Sequence, residues 1–393
     1  MRFIVSFLIS MGLLSVPTLT FAQPYIKLHR KAVLIDTHND VLEKAMPKGL
    51  SFDHDLKGKT QSDLTRFGEG GMDIQIFSIW CDGNDKLPFG IANRQIDTLY
   101  TTAARNKDRM LMVTSPASLR QALRQKKLGA MIGVEGGHMI ENDLAKLQAL
   151  FDRGARYLTL THNVSTPWAT SAWEETHDSL LHQPKGLNDL GRKVVEKMNQ
   201  LGMLVDVSHV GEQTFYDIIK LTSKPIIASH SSVYQICPVP RNLKDEQIKA
   251  IAKNGGVIHI NFYSGFLDST YDKRKNAFIQ SHKAEADSLK LADMPGYRME
   301  EYIAEKYAAE ADALRAPLSA VIDHIDYIVK LVGINHVGIG SDFDGIESSP
   351  RYLDGVQDFP IITRELLARG YRKKDIQKIL GANFIRVFKA NMP

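Results

Sequence analysis

An apolar run that ends in a metal-binding side chain recurs along this chain, and that recurrence restricts the folds open to it. The first instance is Leu34-Ile35-Asp36-Thr37-His38-Asn39-Asp40. Alternate residues of a strand share a face, so His38 and Asp40 can grip one ion from the rim of a sheet. Four later runs share the design: Ile132-Gly133-Val134-Glu135, Leu204-Val205-Asp206-Val207-Ser208-His209, Ile226-Ile227-Ala228-Ser229-His230 and Val337-Gly338-Ile339-Gly340-Ser341-Asp342. Ligands at strand C-termini, gathered from distant parts of a chain, suit a metal site on the catalytic face of a barrel.

The rest of the chain agrees. Strand-like runs fall at 33–38, 72–80, 129–135, 156–162, 203–208, 225–230, 256–262 and 336–342. They are continuously apolar, as strands covered on both faces are. Amphipathic stretches lie between them, among them Leu187 to Leu201, Glu212 to Leu221, Asp245 to Lys253 and Leu318 to Leu331. Eight alternating units predict an α/β protein with a closed (β/α)8 barrel. A polar stretch at 163–186 reads as a long loop on the catalytic face. Residues 265–316, rich in Ala, Glu, Lys and Tyr, read as a helical insertion between the last two strands. Phe359 to Arg369 and Lys373 to Met392 read as closing helices. No fixed-period repeat or linker appears, so residues 23–393 are expected to form one domain.

The N-terminus has the three parts of a secretory signal peptide. Arg2 precedes the apolar run Phe3 to Val16, Pro17 breaks it, and Thr20-Phe21-Ala22 offers a small residue for cleavage. Residues 1–22 are therefore expected to be removed, giving a periplasmic or secreted protein. The run is short for a membrane span, no second one follows, and the C-terminus lacks the apolar tail of a glycolipid anchor. The formal charge is only +4 and the basic residues are dispersed. That excludes the basic block of a nucleic-acid binder. Cys81 and Cys237 could pair in an exported chain, but two cysteines make no disulfide framework. Oligomeric state is left open, with a homodimer among the states allowed.

His38, Asp40, Glu135, His209 and His230 supply three imidazoles and two carboxylates, more than one catalytic zinc takes. Such a set suits two zinc ions, with Glu135, between the two groups in sequence, as the bridge. Three more residues stand at the same rim. His162 ends the fourth strand run and could ligate metal or donate to an oxyanion. Asp342 could shuttle a proton to a leaving amine, with Asp344 as its competitor. Arg241 could hold a substrate carboxylate or be a solvated loop arginine. His138 could buttress the site. His259 and His336 read as structural, and His324 as a packing or surface residue. His29, His54, His177, His182 and His282 default to the surface.

With these motifs assembled, the chain resembles the membrane dipeptidase (renal dipeptidase) family of zinc peptidases. The resemblance is carried by Ile35-Asp36-Thr37-His38-Asn39-Asp40, Gly133-Val134-Glu135-Gly136-Gly137-His138, Tyr157 to His162, Ser229-His230-Ser231-Ser232 and Asp342-Phe343-Asp344-Gly345. It continues through Asn261-Phe262-Tyr263 and Asn383 to Phe388. It implies a TIM-like barrel with two zinc ions, His38 and Asp40 on one, His209 and His230 on the other, and Glu135 bridging. It implies that His162 contacts substrate near the scissile carbonyl. Arg241, with Tyr263 nearby, would bind the C-terminal carboxylate of a dipeptide, and Asp342 would transfer protons. Members often accept a D-residue at the second position, and some open β-lactams. Members with disulfides carry a Cys two residues after the substrate-contacting His. This chain has Val164 there, which implies that Cys81 and Cys237 are free thiols. The insertion also looks longer than in mammalian members. Two rivals stand beside the dipeptidase. One is another binuclear amidohydrolase or lactonase, which would commonly bridge its metals with a modified Lys where this chain has His162. The other is a non-catalytic metal-binding protein, which would be expected to lack a ligand.

Overall fold

The computed structural model describes residues 24–178 and 184–392. The expected signal peptide and His182 lie outside the described residues. Among the described residues, nine parallel strands form one sheet: β1 (Ile35–Asp36), β2 (Ile74–Ile79), β3 (Met110–Met112), β4 (Leu128–Glu135), β5 (Ala155–Thr159), β6 (Leu204–Asp206), β7 (Ile227–Ala228), β8 (Val257–Ile260) and β9 (Val337–Ile339). The order runs β2-β1-β9-β8-β7-β6-β5-β4-β3, and a β2–β4 pairing closes the ring. Eight of the nine strands make the expected TIM-like (β/α)8 barrel. The ninth, β3, was not anticipated. It pairs only with the start of β4, Met110 opposite Leu128 to Met112 opposite Ala130, before β5 takes over from Ile132 onward.

The ladders are shorter than the apolar runs, and for a physical reason. Past the strand ends, backbone donors turn to side chains. Ser341 N donates to Asp36 Oδ1 at 2.7 Å and Ser229 N to Asp206 Oδ1 at 2.8 Å. Other donors still reach neighbouring backbone, as Asp342 N does with His38 O at 3.1 Å, so the strand ends stay in register at the site.

Barrel filling follows a small-against-large rule. Gly133 faces the Tyr157 ring so closely that a Cβ there would lie 2.0 Å from Cζ. Gly338 yields in the same way to the His259 ring. His259 is buried, with Nδ1 2.9 Å from Ala228 O, as expected of a filling residue. His324 is fully buried as well. It accepts from Val233 N on Nδ1 and faces Leu267 O through Nε2. The surface assignment of His29 is wrong: it is buried between Thr363 Oγ1 and Gly70 O, where it joins the first helix to the barrel's closing helices. His54 and His177 are exposed.

The segment between β8 and β9 is helical as expected, in Ser264–Leu267, Tyr271–Ser281, Lys283–Leu291, Gly296–Lys306 and Ala308–Asp312. It buries a small cluster of its own: Phe278, Ala286, Met299 and Ile303. Its links to the barrel are largely ionic: Arg298 to Glu43 at 3.0 Å, Lys275 to Glu347 at 3.6 Å, and Lys44 to Glu301. Among the described residues, no helix is long and apolar enough to cross a membrane.

Candidate metal centre

The strand ends bring the predicted ligands into one cluster. Glu135, last residue of β4, stands at its middle, 4% exposed. Its Oε2 lies 3.3 Å from His38 Nε2, and Asp40 Oδ2 is 3.4 Å from the same nitrogen. Its Oε1 lies 3.0 Å from His209 Nε2 and 3.3 Å from His230 Nε2. The two oxygens of one carboxylate thus serve two different groups of ligands. Ser78 of β2 donates to Oε2 at 3.2 Å.

The donor set fits divalent cations. His38 Nε2 and Asp40 Oδ2 are buried without a hydrogen-bond partner, an expensive arrangement unless a cation sits between them. The Nε2 atoms of His209 and His230 are 2.9 Å apart and converge on Glu135. In each of these imidazoles the far nitrogen is engaged: His38 with Tyr157 Oη at 2.8 Å, His209 with Asn163 Oδ1 at 3.2 Å, His230 with Ser229 Oγ at 2.8 Å. Far-side partners of this kind orient a metal-ligating histidine.

The electrostatics agree. Burial holds His209 and His230 well below the usual histidine range. Burial would lower His38 too, but Tyr157, Glu135 and Asp40 outweigh it and hold it well above. A field that would keep a proton on that nitrogen also favours a cation. Burial would raise Glu135, yet the surrounding histidines hold it well below the usual carboxylate range.

The other rim residues sort themselves around this cluster. Asp342 Oδ1 is 3.9 Å from His38 Nε2, and Asn261 Nδ2 donates to Oδ2 at 2.8 Å. Burial, together with Asp40 and Glu135, pushes its carboxyl well up. Its competitor Asp344 is turned to the loop at Gln61, whose backbone N–H it accepts at 2.6 Å. Asp342 and His209 both sit in left-handed backbone, φ 63° and 66°. Such conformations cost about 1–3 kcal/mol in non-glycine residues and gather at functional sites. Gly345 roofs the carboxylates; a Cβ there would lie 2.4 Å from Asp40 Oδ2.

His162 Nε2 lies 4.0 Å from Glu135 Oε1, and burial pushes its pKa down to about 4. Arg241 is buried, its Nε has no partner, and its single hydrogen bond runs from Nη2 to His230 O at 3.4 Å. It is not the solvated loop arginine of the bland alternative. Phe266 joins it to Tyr263: the guanidinium lies 5.3 Å from that ring and the Tyr263 ring 4.8 Å. The Tyr263 hydroxyl itself is taken by Glu347 and Lys275. A cavity of about 390 Å3 lies between the insertion and the barrel, lined by Tyr271 and Lys275 on one and by Lys44 and Asp344 on the other. His138 packs on Cys81, its Nε2 3.1 Å from the Cys81 carbonyl oxygen.

Several residues at the site escaped the sequence reading. Tyr157, Asn163 and Ser229 hold the histidines; Asp36 and Asp206 brace Ser341 and Ser229 from below. The repeated Asp before His38 and His209, and the Ser before His230 and Asp342, were the available signals. Trp80 lies edge-on to His162 at 5.1 Å, its backbone clamped at both N and O by Gln95. Cys81 and Cys237 are buried and free.

Dipeptidase 3 of Mus musculus is 30% identical over 370 residues, spanning 93% of this chain and 65% of the mouse protein. The crystal structure of the probable dipeptidase PvdM from Pseudomonas aeruginosa superposes with a TM-score of 0.77 at 26% identity, covering 93% of this chain and 97% of that one. A metallo peptidase from Rhodobacter sphaeroides, liganded with a phosphinate mimic of the dipeptide L-Ala-D-Ala, shares the fold at 20% identity and a TM-score of 0.73, covering 92% and 99%. The membrane dipeptidase profile (peptidase family M19) matches residues 23–392, so the chain belongs to that family of peptidases.

Proposed function

We propose that this protein is an exported zinc dipeptidase in which His38 and Asp40 would hold one ion, His209 and His230 a second, and Glu135 would serve both. The observation that carries the proposal is the division of Glu135, one oxygen toward His38 and the other toward His209 and His230. Zinc is the metal its nitrogen and oxygen donors favour. When bound, two such ions would polarise the peptide carbonyl and lower the pKa of a water toward neutrality.

The chain's own residues do the rest. Arg241, buried and short of partners, takes the substrate's terminal carboxylate in a bidentate grip. Because Arg241 is fixed against the His230 carbonyl, it acts as a ruler. A free carboxylate must lie one residue beyond the scissile bond, which selects dipeptides. Tyr263 and Phe266 form the wall beside it. His162, neutral at pH 7, donates to the oxyanion as charge develops there. Asp342, held by Asn261 through one oxygen, takes a proton on the other and delivers it to the departing amine. The phosphinate mimic of L-Ala-D-Ala bound by the Rhodobacter protein supports including dipeptides with a C-terminal D-residue. Export rests on residues 1–22, and N-terminal sequencing of the mature protein tests it.

The deciding experiment is hydrolysis of paired L-L and L-D dipeptides and matched tripeptides, with chelator and with added zinc. Chelator-sensitive cleavage of dipeptides alone is expected. No cleavage by a chain loaded with two zinc ions overturns the proposal and favours the amidohydrolase or binding-protein alternatives.

A further inference from the structure

Asp206 is fully buried behind the ligands and gathers four donors. Thr159 Oγ1 and Ser229 Oγ donate to Oδ2 at 2.5 and 2.6 Å; Ser208 N and Ser229 N donate to Oδ1 at 3.1 and 2.8 Å. A carboxylate only accepts. The Ser229 hydroxyl proton must therefore point at Asp206, whose oxygen lies 2.6 Å away against 3.4 Å for the other acceptor in reach, Ser208 Oγ. With that proton committed, Ser229 Oγ can only accept from His230 Nδ1, 2.8 Å away. His230 is left with its proton on Nδ1 and a lone pair on Nε2, aimed at Glu135 Oε1.

We propose that Asp206 is a positioning residue that sets the tautomer of His230 through the Ser229 hydroxyl. The inference rests on the reading of His230 as a cation ligand. An amide at 206 would reverse the relay. Its N–H would donate to Ser229 Oγ, freeing the hydroxyl to donate to Nδ1 and driving the imidazole proton to Nε2, where it blocks a metal.

The fold contains its own control. Asp36 clamps Ser341 in the same way, accepting from N and Oγ at 2.7 Å each. The residue after Ser341 is Asp342, which has no tautomer to set. Asp36→Asn perturbs a comparable buried carboxylate and leaves the His230 relay intact.

The test is nitrogen NMR of the chain labelled with 15N-histidine and freed of metal, followed by titration with zinc alone. Wild type and Asp36→Asn should show His230 protonated on Nδ1. Asp206→Asn should show it protonated on Nε2 and bind its weaker zinc ion about 10–100-fold less tightly, the usual cost of losing a partner behind a ligand. Ser229→Ala, which deletes the relay atom without adding a donor below it, should lose the tautomer preference too, and it carries the test if Asp206→Asn does not fold. Nδ1 protonation with wild-type zinc affinity in folded Asp206→Asn, or in Ser229→Ala, overturns the proposal. These readouts need no substrate. Failure of dipeptide cleavage would sink the proposed activity and leave the relay standing.

Discussion

The barrel rim and the helical insertion both border the cleft, and they are built in opposite ways. At the rim, charged groups are buried, and the two aspartates beneath the ligands are each tied by several short hydrogen bonds. Asp36 and Asp206 are fully buried, Glu135 and Arg241 nearly so. In the insertion, a small apolar cluster is fastened to the barrel by ion pairs such as Arg298–Glu43, whose arginine side chain is 39% exposed. A buried group with fixed partners holds an atom to a fraction of an ångström, while a solvated ion pair tolerates drift. The difference teaches that the fixed, buried groups belong to the barrel, while the insertion is tethered by contacts that solvent and salt can reach.

That contrast can be broken in stages. Glu135→Gln strikes the group both ligand sets share; zinc content should fall and dipeptide turnover drop on the order of 10³-fold. Turnover within ten-fold of wild type would end the shared-carboxylate account. Arg241→Met should lower kcat/KM about 100-fold, or ~2.7 kcal/mol, and erase discrimination between a dipeptide and its C-terminal amide. Lys275→Met, on the insertion, should leave that discrimination in place.

Acid should load the barrel. Burial pushes His259 and His324 to about 4, against 6.5 when unfolded. Between those values the unfolded chain binds more protons, so stability falls as pH drops from 6.5 toward 4. Each group contributes about 1.4 kcal/mol per pH unit. Denaturant midpoints at pH 7, 6 and 5 on the metal-free chain should show the slope, and His324→Gln should flatten it by about that amount. An unchanged slope would mean that His324 charges without unfolding its surroundings. Salt should load the insertion instead. Arg298→Met should cost only about 0.5 kcal/mol at low ionic strength, and the difference should vanish in 1 M salt. A larger cost, insensitive to salt, would show the insertion to be as firmly built as the rim.

The parts legible in the sequence were those written in one segment. Each barrel strand announced itself as an apolar run, and His38, Asp40, Glu135, His209 and His230 stood at the run ends. What escaped depends on partners far away in the chain. Met110–Met112 is a strand only because β4 is long enough to hold two neighbours on one edge. Asp206 resembles any acidic residue at a strand end until Thr159 and Ser229 close around it. His29 looked like a surface residue because Thr363, its partner, lies 334 positions away.

Val164, two residues after His162, packs against the loop at Gly83. A Cβ built on Gly83 would meet the Val164 Cβ at 3.2 Å, while Cys81 is buried against His138 and Met139. The two loops meet by apolar contact, and both thiols are free. Assembly of this edge therefore contains no oxidation step. The cleft can mature under reducing or oxidising conditions alike, and its shape is indifferent to the thiol chemistry of the compartment in which the chain folds.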